Sequence, residues 1–215
     1  MASIGPRFRE ALAYAARLHE GQWRKRSGDD LPWIPYLSHL LGVASLVLEV
    51  DGDEDEAVAA LLHDAAEDHP RGGATEREIG ERFGPRVLEI VRSCTKPEID
   101  EDGPADLVRA RRQRQARDYI DGFGPAGPSV KLVAVADKLH NARSIVSDLR
   151  EHGPLVWDRF SKTGDETLGY YRELVEALRG GDERSRRLVD ELGRTVDEMH
   201  RLAGQPLPAS PGGSA

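Results

Sequence analysis

His63-Asp64-Ala65-Ala66-Glu67-Asp68 places four ionisable side chains at the end of an apolar run, Ala57 to Leu62. Read as one helix, this spacing sets His63 against Glu67 and Asp64 against Asp68 on neighbouring turns of one face. An adjacent His-Asp pair offers a divalent cation one imidazole and one carboxylate. The Glu-Asp pair a turn later offers groups that accept and return protons. Such side chains beside a buried helix are costly unless they are paired or bound to a cation. A His-Asp pair by itself is more often a capping or salt-bridged surface pair, but two other places add to this one. His39 follows Pro35-Tyr36-Leu37-Ser38 and opens an apolar-periodic stretch, and the run Val130 to Ala136, apolar except for Lys131, breaks into Asp137-Lys138-Leu139-His140-Asn141. Two imidazoles and two carboxylates from three helices suit a borderline divalent ion such as manganese, iron or zinc, with water or substrate in the open positions.

The elements that must bring these groups together read as helices throughout. Phe8, Leu12, Ala15 and Leu18 recur at helical spacing after Pro6, a good first-turn residue. The Ser38 hydroxyl is suited to cap the next helix. Asp53 with Glu56, and Thr75 with Glu78, have the spacing of capping boxes. Further helices are expected from Gly84-Pro85 through Cys94, over Ala105 to Ile120, from Pro128 to about Asp148, over Gly164 to Arg179, and from Asp182 to about Arg201. No stretch shows strand alternation between hairpin signals. The expected fold class is all-α, with a single domain over residues 1–203 and a disordered tail, rich in Pro, Gly, Ser and Ala, over 204–215.

Composition narrows the function classes. A formal net charge of −8 over 215 residues argues against nonspecific binding to nucleic acid, whose phosphates require a positive surface. The arginines at 109, 111, 112, 114 and 117 form one short basic helix without interleaved aromatics. A solvated face is the ordinary use of such a helix, although a few of these arginines could reach distal phosphates of a small substrate. Cys94 is the single cysteine, which removes an intrachain disulfide and a zinc-thiolate site. No apolar run approaches the ~18 residues of a membrane span, and the first residues lack a signal-peptide pattern, so a cytoplasmic location is expected. Asp51 to Glu56 lacks the spacing of a calcium loop and reads as a turn with an acidic helix start.

The ordered set Arg24-Lys25, Pro35-Tyr36-Leu37-Ser38-His39, His63 through Asp68 and Asp137 through Arg143 resembles the HD-type metal phosphohydrolases. It is most similar to the hydrolase domain of the RelA/SpoT alarmone enzymes and their small single-domain relatives. The resemblance runs from about Phe8 to about Leu178. It departs at Leu40, where that family usually has Pro, in a longer Arg24-to-Pro35 loop, and between Thr95 and Ser129. It implies an HD-type helical bundle holding one divalent metal, manganese as first choice, on His39, His63, Asp64 and Asp137. Glu67 is then the general base or proton shuttle and Asp68 orients the water or Glu67. Arg24, Lys25, Lys138, Asn141 and Ser144 are the expected substrate-binding residues. His140 has an expected part in orienting a ligand, and Trp33 and Tyr36 are expected chiefly to pack. The implied reaction is hydrolysis of the 3′-pyrophosphate of guanosine tetra- or pentaphosphate, giving GDP or GTP and pyrophosphate. Two rival readings stay open: an HD-type hydrolase of another nucleotide or nucleoside phosphate, and a nucleotide sensor without turnover. The implied partner is a phosphorylated guanine nucleotide, with no nucleic acid, no membrane, and a homodimer left open.

Overall fold

The structure, a computed structural model, describes residues 4–24, 33–159 and 163–204. Lys25 and most of the Arg24-to-Pro35 loop lie outside the described residues, as do residues 205–215 of the expected tail. Among the described residues ten α-helices follow one another: α1 (Pro6–Leu18), α2 (Leu37–Glu49), α3 (Glu54–Leu62), α4 (Ala65–Asp68), α5 (Ala74–Phe83), α6 (Pro85–Cys94), α7 (Ala105–Phe123), α8 (Pro128–His152), α9 (Gly164–Leu178) and α10 (Glu183–Ala203). Among the described residues the β pairing consists of one isolated antiparallel bridge, Trp23 to Pro35. The all-α expectation therefore holds. Among the same residues, no helix is long and apolar enough to cross a membrane.

The middle of the molecule is α8. Every residue from Val130 to Leu139 is buried, so this stretch is surrounded on all sides and its polar members, Lys131, Asp137 and Lys138, must find partners inside. Helices α2, α3, α6 and α10 all pack on it. Helix α10 runs alongside in the same direction, because the ion pairs Arg143–Glu191 and Arg150–Glu198 advance together along both helices. Helix α3 is apolar from Ala57 to Leu62 and fully buried over that length, as a helix wrapped by neighbours requires.

Three local expectations are corrected. The stretch from Ala57 to Asp68 is not one helix: α3 ends at Leu62, and the Asp64 backbone (φ −94°, ψ −7°) opens the turn before the chain re-enters helix at Ala65. His63 and Asp64 thus sit at a corner. Ser38 does not cap α2; it is already inside the helix, which starts from the Pro35-Tyr36 turn without a side-chain cap. The Thr75–Glu78 box does not form, because Thr75 donates to the His69 carbonyl while Glu78 accepts from Tyr14 and Arg71. The Asp53–Glu56 box is present, and a second one, Thr163 with Glu166, opens α9.

Candidate metal centre

Three elements deliver the candidate ligands to one point: the first turn of α2 (His39), the corner between α3 and α4 (His63, Asp64), and the middle of α8 (Asp137). His39 Nε2 lies 3.5 Å from Asp64 Oδ2 and 3.3 Å from Asp137 Oδ1. His63 Nε2 lies 3.1 Å and 3.6 Å from the same two oxygens. Donors around one cation at about 2.0–2.2 Å are themselves separated by roughly 3.0–3.6 Å. Ligand atoms of His39, His63 and Asp137 all lie within 4.8 Å of one another, and Asp64 Oδ2 closes the ring.

Proton bookkeeping shows why this group fits a cation. His63 Nδ1 is 2.8 Å from the Ala60 carbonyl, a contact that only an N–H can make. In neutral His63 the buried Nε2 is therefore a bare lone pair, and it has no hydrogen-bond partner. His39 Nδ1 is 2.9 Å from His140 Nδ1, so one ring must donate. Arg24 also approaches His140 Nδ1, at 3.1 Å, and can only donate. His140 Nδ1 is then the acceptor and His39 Nδ1 carries the hydrogen. Burial first, then the neighbouring His39 and Arg24, push the His140 imidazole down to about 4, which keeps it neutral. His39 Nε2 is left bare as well. Two imidazole lone pairs and two carboxylate oxygens thus face one another, an arrangement stable only around positive charge. Without a metal that charge is a proton. Burial opposes charging His63, but Asp64 and Asp137 outweigh it and hold its pKa well above the usual histidine range.

The carboxylates are fixed from behind. Asp64 Oδ2 accepts from the Tyr36 hydroxyl at 2.5 Å. Burial, then the Asp64 charge, raise the Tyr36 pKa, so the phenol keeps its proton. Asp137 accepts from Lys138 Nζ and from Asn141 Nδ2, each at 2.6 Å. Burial alone would raise its pKa, but Lys138 and His63 bring it well below the carboxylate range. Lys138 and Asn141, the expected substrate-binding residues, here bond Asp137, and Arg24 reaches Asn141 Oδ1 at 3.0 Å. The Ser144 hydroxyl bonds back to the His140 carbonyl at 3.3 Å. A glycine makes room for this layer: a Cβ at Gly42 would fall 2.3 Å from the His140 ring.

Glu67 and Asp68 lie on α4 and diverge. Glu67 accepts from the Lys96 backbone N–H at 3.1 Å and from its Nζ at 3.3 Å. It lines an open cleft of about 370 Å³ together with Lys96, Arg112, Gln115, Tyr170 and Tyr171. Lys96 and Lys138 both stand 5.2 Å from the Tyr119 ring, which ties the cleft to the metal centre. Asp68 turns the other way and accepts from Gln22 at 2.7 Å. Most of the basic helix α7 is neutralised locally: Arg109 pairs with Glu166, Arg111 with Asp100 and Arg112 with Glu101. His19, Gln22 and His69 were not anticipated from the sequence. The one available signal was the spacing His19-Glu20-Gly21-Gln22 just ahead of Arg24.

Known proteins resemble this chain over most of its length. The HD domain family matches residues 11–163. The guanosine-3′,5′-bis(diphosphate) 3′-pyrophosphohydrolase of Haemophilus influenzae is 31% identical over 85% of this chain and 24% of its own length. The bifunctional (p)ppGpp synthase/hydrolase SpoT of Escherichia coli K12 is 31% identical over 87% and 24%. The chain thus spans about a quarter of the length of these curated relatives. A solved structure described as a metazoan ortholog of SpoT that hydrolyzes ppGpp superposes with a TM-score of 0.65 at 28% identity, covering 90% of this chain and 97% of that one. A crystal structure from Listeria monocytogenes superposes at 0.62, with 25% identity over 76% and 99%. Four donors brought together by three elements and a family match over most of the chain lead to one assignment: this chain belongs to the HD domain family.

Proposed function

We propose that the chain is a metal-dependent phosphohydrolase that removes the 3′-pyrophosphate of guanosine tetra- or pentaphosphate, with manganese as its ion and His39, His63, Asp64 and Asp137 as its ligands. The observation that carries this reading is the convergence of two bare imidazole nitrogens and two carboxylate oxygens beside an open, cation-bearing cleft. The names of the relatives supply the substrate. Two nitrogen and two oxygen donors without thiolate suit manganese, iron or zinc.

When bound, the cation supplies Lewis acidity, polarising a phosphoryl oxygen and making a water molecule more acidic. The protein's own groups do the rest. Glu67, between the corner and the cleft, takes the proton of the attacking water as the bond from phosphorus to the 3′-oxygen breaks, and returns that proton to the departing 3′-oxygen. Its ion pair with Lys96 opens as substrate phosphate draws that lysine away. Asp68 orients the water. Arg24 and Lys25 hold the nucleotide, Arg24 exchanging its contacts with His140 and Asn141 for the substrate. Lys138 and Asn141 act through Asp137, whose oxygens they aim. Ser144 belongs to the substrate side only if its bond to the His140 carbonyl is exchanged for one to the nucleotide. Such a reaction belongs in the cytoplasm, where a chain with a single cysteine is at home.

The test is product identity. Protein stripped with chelator and reloaded with manganese is incubated with guanosine tetraphosphate and with a panel of nucleoside mono-, di- and triphosphates. Pyrophosphate and GDP from the tetraphosphate are expected. Turnover confined to another nucleotide, or release of orthophosphate, replaces the substrate assignment. Binding without any turnover replaces the enzymatic reading with a sensor.

A further inference from the structure

A polar network behind α4 is separate from the metal ligands. Gln22 lies in the turn after α1, and its Nε2 donates to Asp68 Oδ2 at 2.7 Å. The oxygen of the same amide lies 2.7 Å from His19 Nδ1 and 3.2 Å from His69 Nε2. The Asp68 carboxylate can only accept, so the amide NH₂ faces it and the amide oxygen is left to His19 Nδ1 and His69 Nε2, which then donate. His19 is well placed to hold this orientation. Its side chain is wholly buried, its ring stacks on Tyr36 at 5.1 Å and 17°, and it meets the His69 ring edge-on at 4.9 Å. Burial, together with the neighbouring His69, lowers its pKa, so it offers one N–H. Tyr36 in turn holds Asp64, so the network joins the two acids at either end of α4.

We propose that Gln22 is a positioning residue for the hydrolysis: it fixes the Asp68 carboxylate in its water-orienting geometry, with its own amide aligned by His19 and His69. The inference rests on the hydrolase reading given above. Its physical basis is that α4 has only four residues and Asp68 is the last of them, so the backbone alone does little to fix this carboxylate. Among the described residues, Gln22 is the hydrogen-bond donor to it. A carboxylate that must align a water within a few tenths of an ångström loses rate when it rotates freely. The turn that carries Gln22 is itself tied down, since the Tyr36 N–H donates to the Gln22 carbonyl at 2.9 Å and the Arg24 N–H to the Ile34 carbonyl at 2.9 Å.

The experiment compares manganese-loaded wild type with Gln22→Met, Gln22→Glu, Asp68→Asn and the Gln22→Met/Asp68→Asn double variant on guanosine tetraphosphate. Gln22→Met keeps the length of the side chain and removes the donor. It is expected to lose about 10- to 100-fold in kcat, the usual effect of an outer-layer partner, with KM and bound metal per chain unchanged. The double variant should be no slower than Asp68→Asn, because Gln22 acts only through the carboxylate that Asp68→Asn already removes. Gln22→Glu retains acceptor oxygens for His19 and His69 but sets a carboxylate against Asp68, and it should lose at least as much as Gln22→Met. A merely structural residue would lower the melting temperature or the metal content and would multiply with Asp68→Asn. Undiminished kcat in either Gln22 variant, or multiplied losses in the double variant, overturns the inference while leaving the hydrolase reading intact. Wild-type protein without turnover overturns both.

Discussion

Tyr36 shows how a residue of ordinary appearance acquires a specific task. By composition it is an aromatic ahead of a helix. In the structure its hydroxyl is a short-range donor to Asp64, and its ring is held between His19 and His39. Tyr36→Phe keeps the packing and removes one hydrogen bond to a ligand carboxylate. Metal affinity is expected to fall about 10- to 100-fold, read by titrating chelator-stripped protein with manganese; unchanged affinity would show that Asp64 needs no such partner. Gly42→Ala tests the opposite side of the centre. The added methyl falls 2.3 Å from the His140 ring, so the ring must leave and His39 Nδ1 loses its acceptor. Weaker manganese binding with helix content retained, by circular dichroism, is the expected result. The candidate ligands were legible from residue type and order, since each is a His or Asp set against apolar sequence. Their partners were not. Tyr36–Asp64, Gln22–Asp68 and His39–His140 join positions 28, 46 and 101 residues apart, and no local pattern encodes such a pairing.

At the scale of elements, legibility followed the range of the physical signal. Helix periodicity and the Asp53–Glu56 box act within a turn or two, and both read correctly. The Thr75–Glu78 box failed because longer-range partners, Tyr14 and Arg71, took Glu78. The corner at His63–Asp64 was missed because both residues keep right-handed backbone angles, so helical spacing nearly continues across it. The start of α3 is also anchored at long range. Glu56 is fully buried; it accepts from the Asp53 N–H, Ser129 and both terminal nitrogens of Arg184. Arg184→Leu removes the cation and leaves a buried carboxylate short of partners, which costs about 3 kcal/mol. For a chain of this size the melting temperature should fall by roughly 6–12 °C, with kcat little changed at a temperature where the variant is folded. A drop within error would mean that Ser129, the Asp53 N–H and Arg86 suffice for Glu56.

The whole molecule converts this packing into a cation-dependent device. The candidate ligands come from α2, the α3–α4 corner and α8, which are separated in sequence but packed around a common core. In the unfolded chain no such set exists, so an ion that binds the native centre favours folding by mass action. In the metal-free state the same elements bring the half-buried Asp64 and the buried Asp137 carboxylates together, their repulsion offset by a proton on His63 and by Lys138. Metal should therefore act as a clamp on the entire bundle rather than on one loop. With free manganese at about 100 times its dissociation constant, the native state gains roughly 2.7 kcal/mol. The melting temperature should rise by about 5–11 °C over chelator-treated protein. The same addition to an Asp137→Asn variant should shift it far less, because one oxygen of the ring has become an amide that can face its NH₂ toward the ion. Differential scanning calorimetry of both proteins with and without manganese decides the matter. Equal shifts in the two would place the ion elsewhere on the chain, and no shift in either would mean that the four donors close on a proton instead.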